Sequence, residues 1–205
     1  LDNTLHNASP HIFPHINRAM TAYLEQHLAL GHDEANRLRV HYWHRYGATL
    51  LGLVRHHGTD PHHFLAETHR FDQLHRITVF DHALDAMLRR LPGRKLVVSN
   101  GPKRYVDAVL DVMGVRRHFD ASYGIEQLDF HPKPAVKAFR TLIARERLSP
   151  RRCILVEDSA DNLRTAKRLG MRTVLVGKGC NQTAFVDMRI DNVLDLRRAA
   201  ARLGA

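Results

Sequence analysis

The feature that most constrains the fold is a set of three short apolar runs separated by helical sequence. The runs cover residues 95–98, 153–156 and 173–176. Between them lie amphipathic stretches with apolar residues at helical spacing, and two of these end at glycine, at Gly114 and Gly170. Glycine commonly closes a helix in this way. The alternation predicts an α/β fold with a Rossmann-like parallel sheet flanked by helices on both faces.

The first third of the chain follows a helical pattern instead. One predicted helix carries Ile16 and Tyr23 on its apolar face. A second begins near His32 and continues to about Gly58. A third opens with Pro61 in its first turn, where proline is favoured. We therefore predict two units, a small helical domain and an α/β core, over residues 11–77 and over residues 1–10 with 78–205.

The positive charge of the chain limits its partners. Thirty-one Lys and Arg against 21 Asp and Glu give a net charge of +10. A basic chain suits nucleic acid or small anionic substrates. The basic residues are scattered, without the aromatic interleaving of a single-strand binding track. No apolar run approaches the roughly 18–20 residues of a membrane span. We expect a small anionic substrate, no nucleic-acid polymer, no membrane partner, and a monomer or homodimer.

Cysteine and histidine do not form a zinc pattern. Cys153 and Cys180 are far apart in sequence, and two cysteines do not make a disulfide framework, which favours a cytoplasmic location. Histidine pairs such as His41 and His44 have no Cys or carboxylate partners at regular spacing. Solvated histidines are therefore favoured over a zinc site.

Polar residues directly follow the first predicted strand. Ser99, Asn100 and Gly101 come after Val98 and before a predicted helix. A hydroxyl, an amide and neighbouring backbone N–H groups at a helix start suit a phosphate group. The alternative is that Asn100 and Gly101 only form the turn and Ser99 caps the helix.

A lysine in a stiff loop is the second candidate. Lys133 lies between Pro132 and Pro134, whose rings restrict the backbone. A lysine fixed at the sheet edge suits the neutralisation of phosphoryl oxygens. The alternative is a solvated lysine in a rigid connector.

Paired acids follow the second predicted strand. Glu157 and Asp158 come directly after Val156, and such carboxylates are costly at a buried strand end unless a cation compensates them. Mg²⁺ prefers oxygen ligands, and Asn162 is placed to support them by hydrogen bonding. The alternative is helix capping by Asp158 or Ser159.

The chain opens Leu1-Asp2-Asn3-Thr4-Leu5, and this opening completes an order of four motifs. Taken together, these segments resemble the haloacid dehalogenase-like superfamily over essentially the whole chain, and the helical insertion resembles the cap of its subfamily I. The resemblance implies that Asp2 is the general acid/base. It implies a catalytic set made of Asp2, Thr4, Ser99, Asn100 and Lys133. It also implies three magnesium ligands, which are the carbonyl of Asp2 and the side chains of Glu157 and Asp158.

The resemblance also implies a nucleophilic Asp immediately before Leu1, at the end of a short apolar strand. The sequence begins after that position. We expect both the strand and the Asp to precede Leu1 in the protein.

The family resemblance implies a Mg²⁺-dependent phosphatase that works through an aspartyl-phosphate. A narrower resemblance, carried by residues 42–54 and 131–134, is to yeast-type pyrimidine 5′-nucleotidases and their bacterial relatives. It implies nucleoside 5′-monophosphates as substrates, with Tyr42 and Tyr46 of the cap against the base; the alternative is that both rings fill the cap's core.

Other functions remain open. A sugar-phosphate phosphatase or a phosphomutase would use the same core. A haloacid dehalogenase is disfavoured, because Asp2 and the paired acids suit a magnesium phosphatase. From a different class, the chain would be a catalytically inactive binding or regulatory module.

Overall fold

The structure is a computed structural model that describes residues 1–179 and 183–204. An opening loop is followed by four helices, α1 (Ile12–Leu28), α2 (His32–Tyr46), α3 (Thr49–His57) and α4 (Pro61–Thr68). We call α1–α4 the helical insert. It packs around a hydrophobic cluster of its own, in which Leu24, Leu53 and Phe64 are fully buried. Burial of such side chains stabilises a unit by about 1.5–3 kcal/mol each.

The helix predicted from His32 to about Gly58 is two helices in the structure, so that prediction was wrong. Gly47 has a φ of 80°, and its N–H donates to the Trp43 carbonyl. Glycine reaches this left-handed conformation without steric cost, and it ends α2 there. After the break α3 packs back against α2. The ring of Tyr42 then lies where a side chain on Gly52 would be.

The rest of the chain alternates strands and helices, as the sequence predicts. Two short helices, α5 (Leu74–Ile77) and α6 (Leu84–Arg90), precede the first strand. The strands are β1 (Leu96–Val98), β2 (Ala121–Tyr123), β3 (Ile154–Glu157), β4 (Arg172–Val176) and β5 (Met188–Ile190). The remaining helices are α7 (Lys103–Val112), α8 (Val136–Arg145), α9 (Ala160–Arg168) and α10 (Leu196–Arg202).

The described strands pair in parallel throughout, in two sheets with the orders β1-β2 and β3-β4-β5. The predicted α/β fold with a parallel, Rossmann-like core is confirmed. Strands β2 and β5 were not predicted, because three residues each, with Ser122 and Arg189 at their centres, carry too little apolar pattern. Pairing with β1 and β4 gives them their extended conformation.

The main hydrophobic core joins α7 to the strands. Val97 of β1, Val106 and Leu110 of α7, and Val174 of β4 are buried in one cluster. This packing fixes the carboxyl ends of β1 and β3 at neighbouring positions, with Ser99 and Glu157 at the two ends. Helices α7 and α9 start just beyond them.

Two further observations concern the expected location. No helix within the described residues is both long and apolar enough to cross a membrane. Cys180, one of the two cysteines behind the cytoplasmic expectation, lies outside the described residues.

Candidate active site

The opening loop is a tight turn closed by its own backbone. The N–H groups of Thr4 and Leu5 donate to the Leu1 carbonyl at 3.1 and 2.8 Å. Asn3 has a φ of 53°, and its Oδ1 accepts hydrogen bonds from the N–H groups of Ala8 and Ser9 at 3.1 and 2.9 Å. Asparagine tolerates the left-handed conformation better than most residues, so Asn3 shapes the loop.

Thr4 is buried in this loop. Within the described part of the chain its Oγ1 makes no hydrogen bond. The loop is therefore held by Asn3 and the backbone rather than by the hydroxyl of Thr4, a residue that the family resemblance places in the catalytic set.

Asp2 is held by three side chains, one from its own loop and two from the segment that follows β1. The Tyr105 hydroxyl donates to Oδ1, and the Ser99 hydroxyl donates to Oδ2 at 3.2 Å. Nε2 of His6 lies 3.1 Å from Oδ1. Burial alone would raise the pKa of Asp2, but the hydrogen bonds from His6 and Tyr105 hold its pKa below the usual range. Asp2 is therefore a carboxylate at neutral pH, in the form that accepts a proton.

Two rings, those of His69 and Phe71, lie beside Tyr105, which donates to Asp2. The rings of His69 and Phe71 lie 5.7 and 5.6 Å from the ring of Tyr105. Burial, and then the charge of Asp2, raises the pKa of Tyr105, so its hydroxyl stays protonated and donates. Burial lowers the pKa of His69 to about 4, so this imidazole is neutral at pH 7.

Asn100 holds the loop that carries Lys133. Its Nδ2 donates to the Lys133 carbonyl at 2.9 Å, and its Oδ1 accepts from the Lys133 N–H at 2.8 Å. These two hydrogen bonds hold both the N–H and the carbonyl of Lys133 in place. The amide predicted to contact phosphate is thus engaged with backbone, and it positions the lysine.

Lys133 and Glu157 form a buried ion pair. The lysine Nζ donates to the Val98 carbonyl at 3.0 Å and to Glu157 Oε2 at 3.2 Å. Asn162 Nδ2 donates to Glu157 Oε1 at 2.5 Å. The side chains of Lys133 and Glu157 are only 7% and 8% exposed, so each charge depends on these partners. Both oxygens of Glu157, a predicted metal ligand, are therefore engaged by protein groups.

Asp158 is the acid with room for a cation. It lines a cavity together with Asn3 and Thr4. Burial, and then the charge of Glu157, raises the pKa of Asp158. A cation beside Asp158 would offset both effects, so this carboxylate fits a hard divalent ion.

The protein supplies only part of such a coordination shell. The described residues hold no group of three or more His, Cys, Asp or Glu side chains arranged for a metal. Mg²⁺ commonly keeps several waters and shares phosphate oxygens, so few protein ligands suffice.

The two tyrosines expected to contact substrate differ in burial. Tyr42 is buried in the core of the helical insert, and its hydroxyl bonds His57 at 2.8 Å. Tyr46 is half-buried, with its hydroxyl 2.6 Å from His56. Arg55 lies 5.8 Å from the Tyr46 ring centroid. Tyr46 is thus the more accessible of the two rings.

Sequence reasoning missed His6, His69 and Tyr105. In sequence, Tyr105 belongs to the apolar face of α7 with Val106 and Val109, so it resembles an ordinary core residue. The histidines are two among sixteen. The available signal was closeness in sequence, because Tyr105 lies about one helical turn after Ser99, Asn100 and Gly101.

The chain was compared with known proteins. A model of the haloacid dehalogenase-like hydrolase family matches residues 1–170. A relative from Pseudomonas putida, described as a "Probable phosphoglycolate phosphatase", is 27% identical over 169 residues. That match covers 75% of this chain and 66% of the relative, so the chain spans just under two thirds of the relative's length.

Solved structures share the fold. A HAD phosphatase from Thermococcus onnurineus is 22% identical with a TM-score of 0.63, over 98% of this chain and 94% of that one. A 2-haloacid dehalogenase from Pseudomonas syringae pv. Tomato DC3000 is 18% identical with a TM-score of 0.63, over 98% and 96%. Phosphatases and dehalogenases are equally similar in fold, so the fold alone does not separate them.

The family match extends over most of the chain and includes Asp2, Ser99, Tyr105, Lys133 and Asp158. The chain therefore belongs to the haloacid dehalogenase-like hydrolase family.

Proposed function

We propose that this chain is the catalytic part of a Mg²⁺-dependent phosphatase of small phosphate monoesters, with nucleoside 5′-monophosphates as preferred substrates. The observation that carries the proposal is the convergence of Asp2, Ser99, Lys133 and Asp158 at the carboxyl ends of β1 and β3. One acid/base, one hydroxyl, one buried cation and one carboxylate with a raised pKa are the groups that phosphoryl transfer needs.

Asp2 would serve as acid and then as base. In the free protein it is ionised. An arriving phosphate dianion would raise its pKa, because a nearby like charge favours the neutral form of a carboxyl group. Asp2 would then give a proton to the leaving oxygen, and in the second half-reaction it would take one from water.

Ser99 and Lys133 would bind the phosphoryl group. The Ser99 hydroxyl has a partner in Asp2 and can turn toward a phosphoryl oxygen. Lys133 brings a buried positive charge, and its ammonium has three N–H donors, of which Val98 and Glu157 take two. The expected Asp before Leu1 would be the nucleophile.

Asp158 and the carbonyl of Asp2 would hold the magnesium ion. When bound, the ion lowers the repulsion between the anionic groups of protein and substrate. Glu157 would keep Lys133 in place, and Asn162 would keep Glu157 in place.

We further propose that the helical insert is a cap over this site. Ile125 and the half-buried Phe130, from the segment before Lys133, pack into the insert's hydrophobic cluster. The cap therefore shares side-chain contacts with the segment that leads to the catalytic lysine. A ring at Tyr46 would stack on a nucleobase; Tyr42, buried and bonded to His57, would support the cap from inside.

A second candidate is a phosphatase of small carboxylated phosphate esters. The Pseudomonas putida relative carries the description "Probable phosphoglycolate phosphatase". Arginines at positions 45 and 55, both near the Tyr46 ring, would suit a substrate carboxylate.

A substrate panel distinguishes these proposals. The assay uses the protein with the expected apolar strand and Asp before Leu1, here called the extended protein. With Mg²⁺, we expect release of phosphate from pyrimidine nucleoside monophosphates to exceed release from phosphoglycolate and hexose phosphates. A strong preference for phosphoglycolate would support the second candidate, and a preference for a hexose phosphate would support a sugar phosphatase or mutase.

A further inference from the structure

We infer that Tyr105 is a positioning residue for Asp2, and that it sets how well this chain protonates poor leaving groups. The inference rests on the proposed phosphatase function and extends it to a residue outside the four motifs. Tyr105 acts through Asp2 and does not touch the substrate.

The contact is direct and buried. Tyr105 is only 3% exposed, and its hydroxyl donates a hydrogen bond to Oδ1 of Asp2. His6 lies beside the same oxygen, whereas among the described residues Oδ2 accepts from the Ser99 hydroxyl alone, at 3.2 Å. Tyr105 and His6 therefore hold one oxygen of the carboxylate. The other is left with a single, rotatable partner, so Oδ2 is the oxygen free to serve the leaving group.

The ring of Tyr105 is itself held in place. Phe71 and His69, both from the segment that returns from the helical insert, lie beside it. A Cβ on Gly101 would lie 2.9 Å from the Tyr105 ring, closer than real Cβ contacts allow. Gly101 has no positive φ in the structure, so its lack of a side chain makes room for this ring rather than for a turn.

The consequence is chemical. An alkoxide is a poor leaving group and needs a proton in the transition state, whereas a nitrophenolate leaves readily without one. Loss of the Tyr105 hydroxyl should therefore lower kcat/KM for alkyl esters far more than for activated aryl esters. Loss of a residue that only stabilised the fold would lower kcat/KM for both equally.

The test compares Tyr105→Phe with wild type in the extended protein, on uridine 5′-monophosphate and on 4-nitrophenyl phosphate. The measured quantity is kcat/KM, which reports the step that expels the leaving group. We expect a loss of about 10- to 100-fold on the nucleotide, the effect typical of a hydrogen bond to a charged group. On the aryl ester we expect a loss of about threefold or less.

Tyr123→Phe is the matched control. Tyr123 is also a buried core tyrosine with a bonded hydroxyl, but its partner is Glu146, away from Asp2. Tyr123→Phe should leave the ratio of kcat/KM between the two esters unchanged. Equal losses on both esters in Tyr105→Phe, or no loss, would overturn the positioning role while the phosphatase function stands. A wild-type extended protein inactive on both esters would overturn the proposed function and this role with it.

Discussion

Asp2 is surrounded by groups from two stretches of sequence, its own opening loop and the segment that runs from β1 into α7, and its chemistry depends on both. Tyr105, Ser99 and His6 bond its carboxylate. The hydrogen bonds from His6 and Tyr105 oppose the effect of burial and hold the pKa of this carboxyl group below its usual range, so it is ionised in the free protein. The proposed role of Asp2 therefore predicts a specific defect when its charge is removed.

Asp2→Asn in the extended protein should fold normally and lose turnover on nucleotide substrates by about 10²–10⁴-fold, the usual contribution of general acid–base catalysis. Steady-state phosphate release measures the loss, and circular dichroism checks the fold. Asp111→Asn, an exposed acid paired with Arg116, is the control and should retain wild-type activity. A wild-type rate for Asp2→Asn on a nucleotide would rule out the role.

His69 predicts a pH dependence of stability. Burial lowers its pKa to about 4, from an ordinary value of about 6.5. Between these two values the unfolded chain binds a proton that the folded chain does not, so stability is lost as the pH falls from about 6.5 to about 4. The full effect is about 3 kcal/mol.

Urea unfolding at several pH values tests this. His69→Gln should unfold with a shallower dependence on pH over that window than wild type. His44→Gln, at an exposed position, should leave the dependence unchanged. Parallel curves for wild type and His69→Gln would contradict the buried, neutral imidazole.

Helix α3 shows at the scale of elements how tertiary contacts override local preference. Alanine in place of a helical glycine ordinarily stabilises a helix by about 0.5–1 kcal/mol. At Gly52, however, a Cβ would lie 2.1 Å from Cγ of Tyr42. Overpacking of this kind typically costs about 1–3 kcal/mol, so the clash should exceed the helical gain.

Gly52→Ala should therefore lower the free energy of unfolding, as measured by urea denaturation. Gly31→Ala is the matched control, because nothing lies within 4 Å of a Cβ there. Its effect should be much smaller. Stabilisation by Gly52→Ala would show that α2 and α3 do not pack as described.

The same helices show what sequence could and could not predict. The long periodic segments and strands β1, β3 and β4 were found, because helical apolar spacing and continuous apolar runs indicate them. The break at Gly47 was missed, since a glycine inside a helical pattern is often tolerated. Strands β2 and β5 were missed because pairing with neighbours, rather than their own composition, makes them extended.

For the whole molecule, sequence reasoning supplied the fold class and the motif residues at the strand ends. It did not supply Tyr105 or His69, because their proximity to Asp2 depends on how α7 and the returning segment pack. It did not supply His6, because its contact with Asp2 depends on the turn of the opening loop. It also did not show that Asn100 bridges the backbone of Lys133. Motifs therefore indicated which residues matter, and only packing showed which side chains hold them.

The central claim is that the chain is a metal-dependent phosphatase rather than a dehalogenase of the same fold. The most direct measurement follows phosphate release from a nucleoside monophosphate and halide release from 2-chloropropionate, by the extended protein and by Asp158→Asn, with Mg²⁺ and with excess chelator. We predict phosphate release that needs Mg²⁺ and is strongly reduced in Asp158→Asn, with no halide release. Undiminished activity in chelator, or halide release without phosphate release, would contradict the account.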